Sequence, residues 1–170
     1  MNRSSSVVFL SLGTNIGIKS NNLEQAIEQL KKIPQTIVLQ VSKFYKTAAW
    51  GKTDQPDFLN AVLSIQTFLD PEVLLTKFVA IELNMGRVRS VHWGPRLIDI
   101  DILFYGNLIF KSELLTIPHP ELQNRKFVLV PLNEIAPQLM HPVLKKTIAQ
   151  LINSCPDQLE IVDQNKLIQE

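Results

Sequence analysis

Asp99 and Asp101 sit one residue apart in Arg96-Leu97-Ile98-Asp99-Ile100-Asp101-Ile102-Leu103-Phe104-Tyr105, an otherwise apolar run. In a strand, alternate side chains share a face, so the two carboxylates stand together with α-carbons about 6.5–7 Å apart. Ile98, Ile100, Ile102 and Phe104 take the other face and are expected in a core. Neighbouring carboxylates in a half-buried sheet repel and lose hydration, which a cation between them relieves. Mg²⁺ suits such a pair, because it takes oxygen ligands and is commonly held by one or two carboxylates together with nucleotide phosphates. A solvent-facing strand with no ligand shows the same alternation, and the strand alone leaves both readings open.

Other residues that could join this chemistry flank the strand. Arg87 to Arg96 holds Arg87, Arg89, Arg96, His92 and Trp93 without apolar periodicity, which reads as a basic loop. Arginine forks match phosphate oxygens two at a time, so beside a carboxylate-held metal they form a polyphosphate clamp; alternatively they pair with Asp99 and Asp101 themselves. Thr116-Ile117-Pro118-His119-Pro120 is bound by proline on both sides of His119 and cannot continue a helix or a central strand. Arg125-Lys126 precedes Phe127-Val128-Leu129-Val130, a run that reads as a further apolar strand with basic groups at its mouth.

These groups need a scaffold, and 170 residues with 45% apolar content suffice for one core of ordinary size, a single domain over residues 1–170 with 1–6 as disordered lead-in. The formal charge of +1 gives no global signature for nucleic acid or an anionic membrane, so an anion site must be local. One cysteine, Cys155, cannot form an internal disulfide, and no Cys/His set has zinc spacing, which fits a reducing cytoplasm. No signal-peptide pattern or membrane-length apolar run is visible, and the chain reads as soluble.

Val7 to Leu12 reads as a first strand ended by a turn cluster, Gly13-Thr14-Asn15-Ile16-Gly17, which lacks the Gly-Lys-Ser/Thr of a P-loop. Leu23, Ala26, Ile27 and Leu30 recur at helical spacing, with Ser20, Asn21 or Asn22 as N-cap and Pro34 closing the helix. Thr36 to Phe44 and Phe58 to Thr67 read as strands, joined by a loop that holds Trp50, Gly51 and Pro56. Asp70-Pro71 opens a second helix whose face is Val73, Leu74, Lys77, Phe78 and Ile81 and which stops before Arg87. Gly106-Asn107 looks like a turn with Leu108 to Phe110 pairing back, and a short helix is expected near Lys146 to Ile152.

With these residues in view the chain resembles the 6-hydroxymethyl-7,8-dihydropterin pyrophosphokinase family. The resemblance spans nearly the whole length. It rests on Gly13-Thr14-Asn15, Phe44-Tyr45-Lys46-Thr47, Gln55-Pro56-Asp57-Phe58-Leu59-Asn60, Glu82, Gly86-Arg87-Val88-Arg89, Trp93-Gly94-Pro95-Arg96, Asp99-Ile100-Asp101, Ile117-Pro118-His119-Pro120 and Arg125. It implies an α+β, ferredoxin-like sandwich with a mainly antiparallel sheet and helices packed on it. It also implies transfer of pyrophosphate from ATP to the pterin hydroxymethyl group, with AMP as co-product and two Mg²⁺ ions on Asp99 and Asp101. Position by position, it implies ATP contacts at Glu82, Arg89, Trp93, Arg96, Ile102, Thr116, His119 and Arg125, and a catalytic loop with Arg87 and Arg89. For the pterin it implies the backbone at Thr47, Ala48 and Trp50, an amide at Asn60, and aromatic rings at Phe58 or Trp93 and at Phe127. A flat heteroaromatic ring stacks on such rings, and an Asn side chain offers both the donor and the acceptor its edge requires.

The chain departs from the family pattern at Leu114 and Val79, which replace a basic residue and a glutamine, and in a shorter loop before Trp93 with His92 preceding it. Pro120 follows His119 in place of an aromatic. With no nucleophilic Ser, Cys or Lys constellation evident, direct attack of the pterin hydroxyl on the β-phosphorus is the expected route. Two other classes stay open on the residues alone: a metal-dependent phosphohydrolase and a non-catalytic ferredoxin-like nucleic-acid-binding domain. The expected partners are the two small substrates, with no nucleic acid and no membrane, in a monomer that associates with other folate-pathway enzymes.

Overall fold

The computed structural model describes residues 4–49, 54–86 and 96–166. Its main sheet runs β5 (Asp99–Tyr105), β1 (Ser6–Thr14), β4 (Phe58–Thr67), β3 (Tyr45–Thr47) and β8 (Ile161–Asp163), with β2 (Thr36–Val41) on the far end of β4. Every described pairing is antiparallel. The helix α1 (Lys19–Lys31) links β1 to β2, and α2 (Pro71–Asn84) links β4 to β5, which gives the expected ferredoxin-like α+β arrangement. No described helix is long and apolar enough to cross a membrane.

Both faces of the sheet are covered. Leu23, Ala26 and Leu30 of α1 and Leu74, Phe78 and Ile81 of α2 pack on one face against Leu10, Leu12, Leu63 and Ile65. On the other, Val128, Leu129 and Leu132 of α3 (Lys126–Ile135) and Ile148 and Leu151 of α4 (Ile148–Asn153) meet Val62, Leu103 and Phe104. The Thr147 and Gln150 side chains cap α4 reciprocally, each accepting from the other's backbone N–H.

Several expectations are corrected here. Phe127 to Val130 is not a strand but the first half of α3. A short apolar run cannot be assigned by itself; Leu132 and Ile135 extend the helical spacing past Pro131, and the stripe buries against the sheet. Phe104 does not share a face with Ile98, Ile100 and Ile102, because the β1–β5 register slips between Phe9/Leu10 and leaves Leu103 as an extra residue. That bulge turns Leu103 and Phe104 together into the α3 side, where Phe104 meets Phe9 edge-on at 6.4 Å. Gly13 and Thr14 belong to β1, and Gly17 at φ +69 makes the turn after it. The α1 helix starts at Lys19, behind Ile18 at the N-cap, not behind Ser20, Asn21 or Asn22. Val73 is exposed and Glu82 joins the buried face of α2 instead. The segment after Gly106 does not pair back on β5; β6 (Phe110–Lys111) pairs with β7 (Thr116–Ile117). Ser6 is already opposite Thr67 in β1, and the Ser5 hydroxyl accepts from Gln66, so these two residues of the expected lead-in are built into the sheet's contacts.

Candidate active site

Register across three strands builds the site. Gly13 pairs with Asn60 on one side and Asp99 on the other, and Ser11 pairs with Asp101. Alternation therefore puts Ser11, Gly13, Asn60, Asp99 and Asp101 on one face at one end of the sheet. With two strand spacings between them, Asn60 and Asp99 are separated by about 10 Å of backbone. Gly13 is the floor between them, and a Cβ there would meet Asn60 Oδ1 at 3.1 Å and Phe58 at 3.8 Å. A cavity of about 270 Å³ opens over this floor, walled by Thr47, Ala48, Gln55, Phe58 and Phe127 on the Asn60 side and by Arg96, His119 and Arg125 on the aspartate side.

On the aspartate side, the Arg96 guanidinium donates from Nη1 to Asp99 Oδ2. Burial pushes the Asp101 carboxyl up to about 7, helped by the Asp99 and Glu82 charges and opposed by Arg125 and Arg96. His119 is fixed by donating its backbone N–H to Leu103 O (3.0 Å) and accepting the Glu121 N–H at Nδ1 (3.1 Å). Burial first and the Arg125 charge second lower its pKa to about 4. The imidazole is therefore neutral at pH 7, and with Nδ1 accepting, its proton sits on Nε2. The Arg125 guanidinium carbon stands 5.9 Å from the centre of the Phe127 ring.

On the other side, Asn60 is 4% exposed and its Nδ2 has no hydrogen-bond partner among the described residues. A buried donor left in this state is costly unless a ligand takes it. Hard-cation chemistry fits the opposite wall: two adjacent carboxylates, one held partly protonated by burial and its neighbour, are the donor set that Mg²⁺ completes with phosphate oxygens. Among the described residues no group of three or more metal-binding side chains converges, so phosphates would supply the rest.

Ten of the expected site residues thus meet in one cavity: Arg96, Asp99, Asp101, His119 and Arg125, with Thr47, Ala48, Phe58, Asn60 and Phe127. Glu82, Ile102 and Thr116 do not line it. Glu82, 3% exposed, accepts the Ile100 N–H at 2.8 Å and so braces β5 from behind; Ile102 is in the core; Thr116 pairs with Lys111. Trp50, Arg87, Arg89 and Trp93 lie outside the described residues. Ser11, Gly13 and Gln55 line the cavity without having been assigned roles. The available signal was Ser11 and Gly13 alternating with Leu10 and Leu12, two small residues on the outward face of a strand.

Residues 9–137 match the family described as 7,8-dihydro-6-hydroxymethylpterin-pyrophosphokinase. The chain is 44% identical over 134 residues to the 2-amino-4-hydroxy-6-hydroxymethyldihydropteridine pyrophosphokinase of Haemophilus influenzae, covering 79% of this chain and 84% of that protein. It is 41% identical over 152 residues to the folic acid synthesis protein fol1 of Schizosaccharomyces pombe, covering 89% of this chain but 21% of that much longer one. The bifunctional protein FolKE of Lactococcus lactis is 39% identical over 160 residues, 93% of this chain and 46% of that one. Among solved structures, the Plasmodium falciparum HPPK-DHPS with pteroate superposes with a TM-score of 0.72 at 19% identity, over 91% of this chain and 43% of that chain, which shows the fold. These likenesses favour neither the phosphohydrolase nor the nucleic-acid-binding alternative. With the match spanning most of its length and the pocket combining an aspartate pair with a buried amide, the chain belongs to the 7,8-dihydro-6-hydroxymethylpterin-pyrophosphokinase family, the ATP-dependent diphosphokinases of folate synthesis.

Proposed function

We propose that this pocket transfers the β,γ-pyrophosphoryl group of ATP to the hydroxymethyl oxygen of 6-hydroxymethyl-7,8-dihydropterin. The observation that carries the reading is the row Asn60, Gly13, Asp99 across neighbouring strands, with an amide whose Nδ2 has no partner among the described residues at one end and paired carboxylates at the other. Asn60 takes the pterin edge by offering a donor and an acceptor together, Phe58 and Phe127 cover the ring, and the backbone at Thr47 and Ala48 completes that subsite. On the resemblance, Trp50 adds to the pterin side and Arg87, Arg89 and Trp93 to the nucleotide side.

Arg96 and Arg125 face the phosphates, and neutral His119 donates from Nε2 to a phosphate oxygen without adding charge. Two Mg²⁺ ions on Asp99 and Asp101 would, when bound, neutralise the triphosphate and draw it into line with the acceptor. The acceptor oxygen bonds to the β-phosphorus, the bond from that phosphorus to the α,β-bridging oxygen breaks, AMP departs, and the hydroxyl proton passes to solvent. The substrate brings its own hydroxyl, so no protein nucleophile is required, and catalysis is positioning with charge stabilisation. We place the chain in the cytoplasm as a single-domain monomer; the longer relatives join this domain to further sequence, which suggests association with other folate-pathway enzymes.

The test is product identity. With ATP, Mg²⁺ and the reduced pterin, AMP and pterin diphosphate should form in equal amounts and only when the pterin is present; ADP or free phosphate formed without it would favour a phosphohydrolase.

A further inference from the structure

Asn15 is wholly buried at the end of β1, does not line the cavity, and uses every arm of its side chain on two segments that do. Its Oδ1 accepts the Arg96 N–H at 2.7 Å, and its own backbone N–H donates to Arg96 O at 3.1 Å. Both backbone groups of Arg96 are thus tied to one residue. Its Nδ2 donates to Gln55 Oε1 at 3.2 Å and, at a longer 3.5 Å, to Pro56 O. The amide's orientation follows from these partners, since the Arg96 N–H needs an acceptor and Pro56 O needs a donor. The anchor itself is held: Asn22 Nδ2 donates to Thr14 Oγ1 (3.1 Å) and Ile16 O (2.9 Å), fixing the loop that follows Asn15.

From this geometry we propose that Asn15 is a positioning residue that sets the distance between the nucleotide half of the site, through Arg96, and the ring half, through Gln55 and the approach to Phe58. The proposal rests on the reaction proposed above. Arg96 then delivers its guanidinium to Asp99 from a backbone that cannot slide, and the wall that carries Gln55 is referred to the same point. In an in-line transfer between two bound substrates, a shift of about 1 Å between halves costs on the order of 10²-fold in rate with little effect on either substrate's separate binding. An aspartate at 15 keeps the acceptor for Arg96 but has no donor for Gln55 or Pro56, whereas an alanine loses both arms.

The experiment uses the full chain with Asn15→Ala, Asn15→Asp, Arg96→Ala and the double variant Asn15→Ala/Arg96→Ala. Single-turnover AMP formation should fall on the order of 10²-fold in Asn15→Ala and about 10-fold in Asn15→Asp, while Kd for a non-hydrolysable ATP analogue and for the pterin, each measured alone, changes less than about 5-fold. Adding Asn15→Ala to Arg96→Ala should cost far less than it does in the wild type, because the arm that positions Arg96 then has no guanidinium to place and only the Gln55 arm still counts. Amide exchange at Arg96 in the ligand-free protein should speed up in Asn15→Ala and stay slow in Asn15→Asp, a readout that needs no turnover. Full additivity, a rate loss explained by weakened binding of either substrate, or unchanged Arg96 exchange in Asn15→Ala overturns the proposal. Absence of AMP formation by the wild-type chain overturns the proposed reaction and the catalytic role with it, and is told apart by an intact exchange pattern. If Asn15→Ala fails to fold, Asn15→Asp, which keeps the volume, decides through its own rate and binding split.

Discussion

Asp101 and His119 pull the pH dependence of stability in opposite directions. The Asp101 carboxyl is raised from 3.8 to about 7, so between those values the native state holds a proton that the unfolded chain has released, and stability falls as pH rises. His119 is lowered from 6.5 to about 4, so across that window the unfolded chain binds a proton that the native state refuses, and stability rises with pH. The ligand-free protein should therefore show a shallow profile below pH 6.5. Urea melts should separate the two: in Asp101→Asn stability climbs from pH 4 to 6.5, and in His119→Gln it declines from pH 4 to 7. A shallow profile in both variants would mean that neither group is shifted. Asp101→Asn should also melt higher than wild type at pH 8 while losing nearly all turnover, because the half-buried charge it removes is useful only with a cation bound. Asp99→Ala should not share that gain, since it strands Arg96 without its partner. At Gly13, adding a methyl pushes on Asn60 Oδ1, so Gly13→Ala should raise KM for the pterin several-fold and leave ATP affinity alone; a change in ATP affinity instead would place the ring elsewhere.

At the scale of elements, β5 was legible because alternation is a local signal: two carboxylates out, isoleucines in. The bulge at Leu103 was not, since a slipped register depends on the partner strand, and nothing within Ile102-Leu103-Phe104 marks it. The α3 helix was misread for a related reason. Four consecutive apolar residues suit a buried strand or a buried helix equally; in α3 burial against the sheet outweighs the one hydrogen bond that Pro131 forgoes. Of the ten expected residues that line the cavity, Asp99, Asp101 and Arg96 were legible from residue type and spacing and the pterin side from the family resemblance, yet the placing of Glu82 behind β5 could only come from three dimensions. That brace makes a prediction: Glu82→Ala leaves the Ile100 N–H without its acceptor and should cost about 1–3 kcal/mol in denaturant unfolding. Glu82→Gln keeps an acceptor and should recover most of it, and equal losses in both variants would show that charge, not the hydrogen bond, is what β5 requires.

For the whole molecule, the sheet is a ruler. Among the described residues, helices on both faces leave open one end of three adjacent strands, β5, β1 and β4, and that end carries the ring subsite and the phosphate subsite two strand spacings apart. The central claim is that both substrates occupy this one cavity together. Paramagnetic relaxation measures it directly: Mn²⁺ with a non-hydrolysable ATP analogue on the aspartate pair, read out on the protons of bound pterin. The account predicts a Mn²⁺ to pterin distance of roughly 10 Å, from the strand spacing, and loss of the effect in Asp101→Asn. A distance of roughly 20 Å or more, or relaxation unchanged in Asp101→Asn, would contradict it.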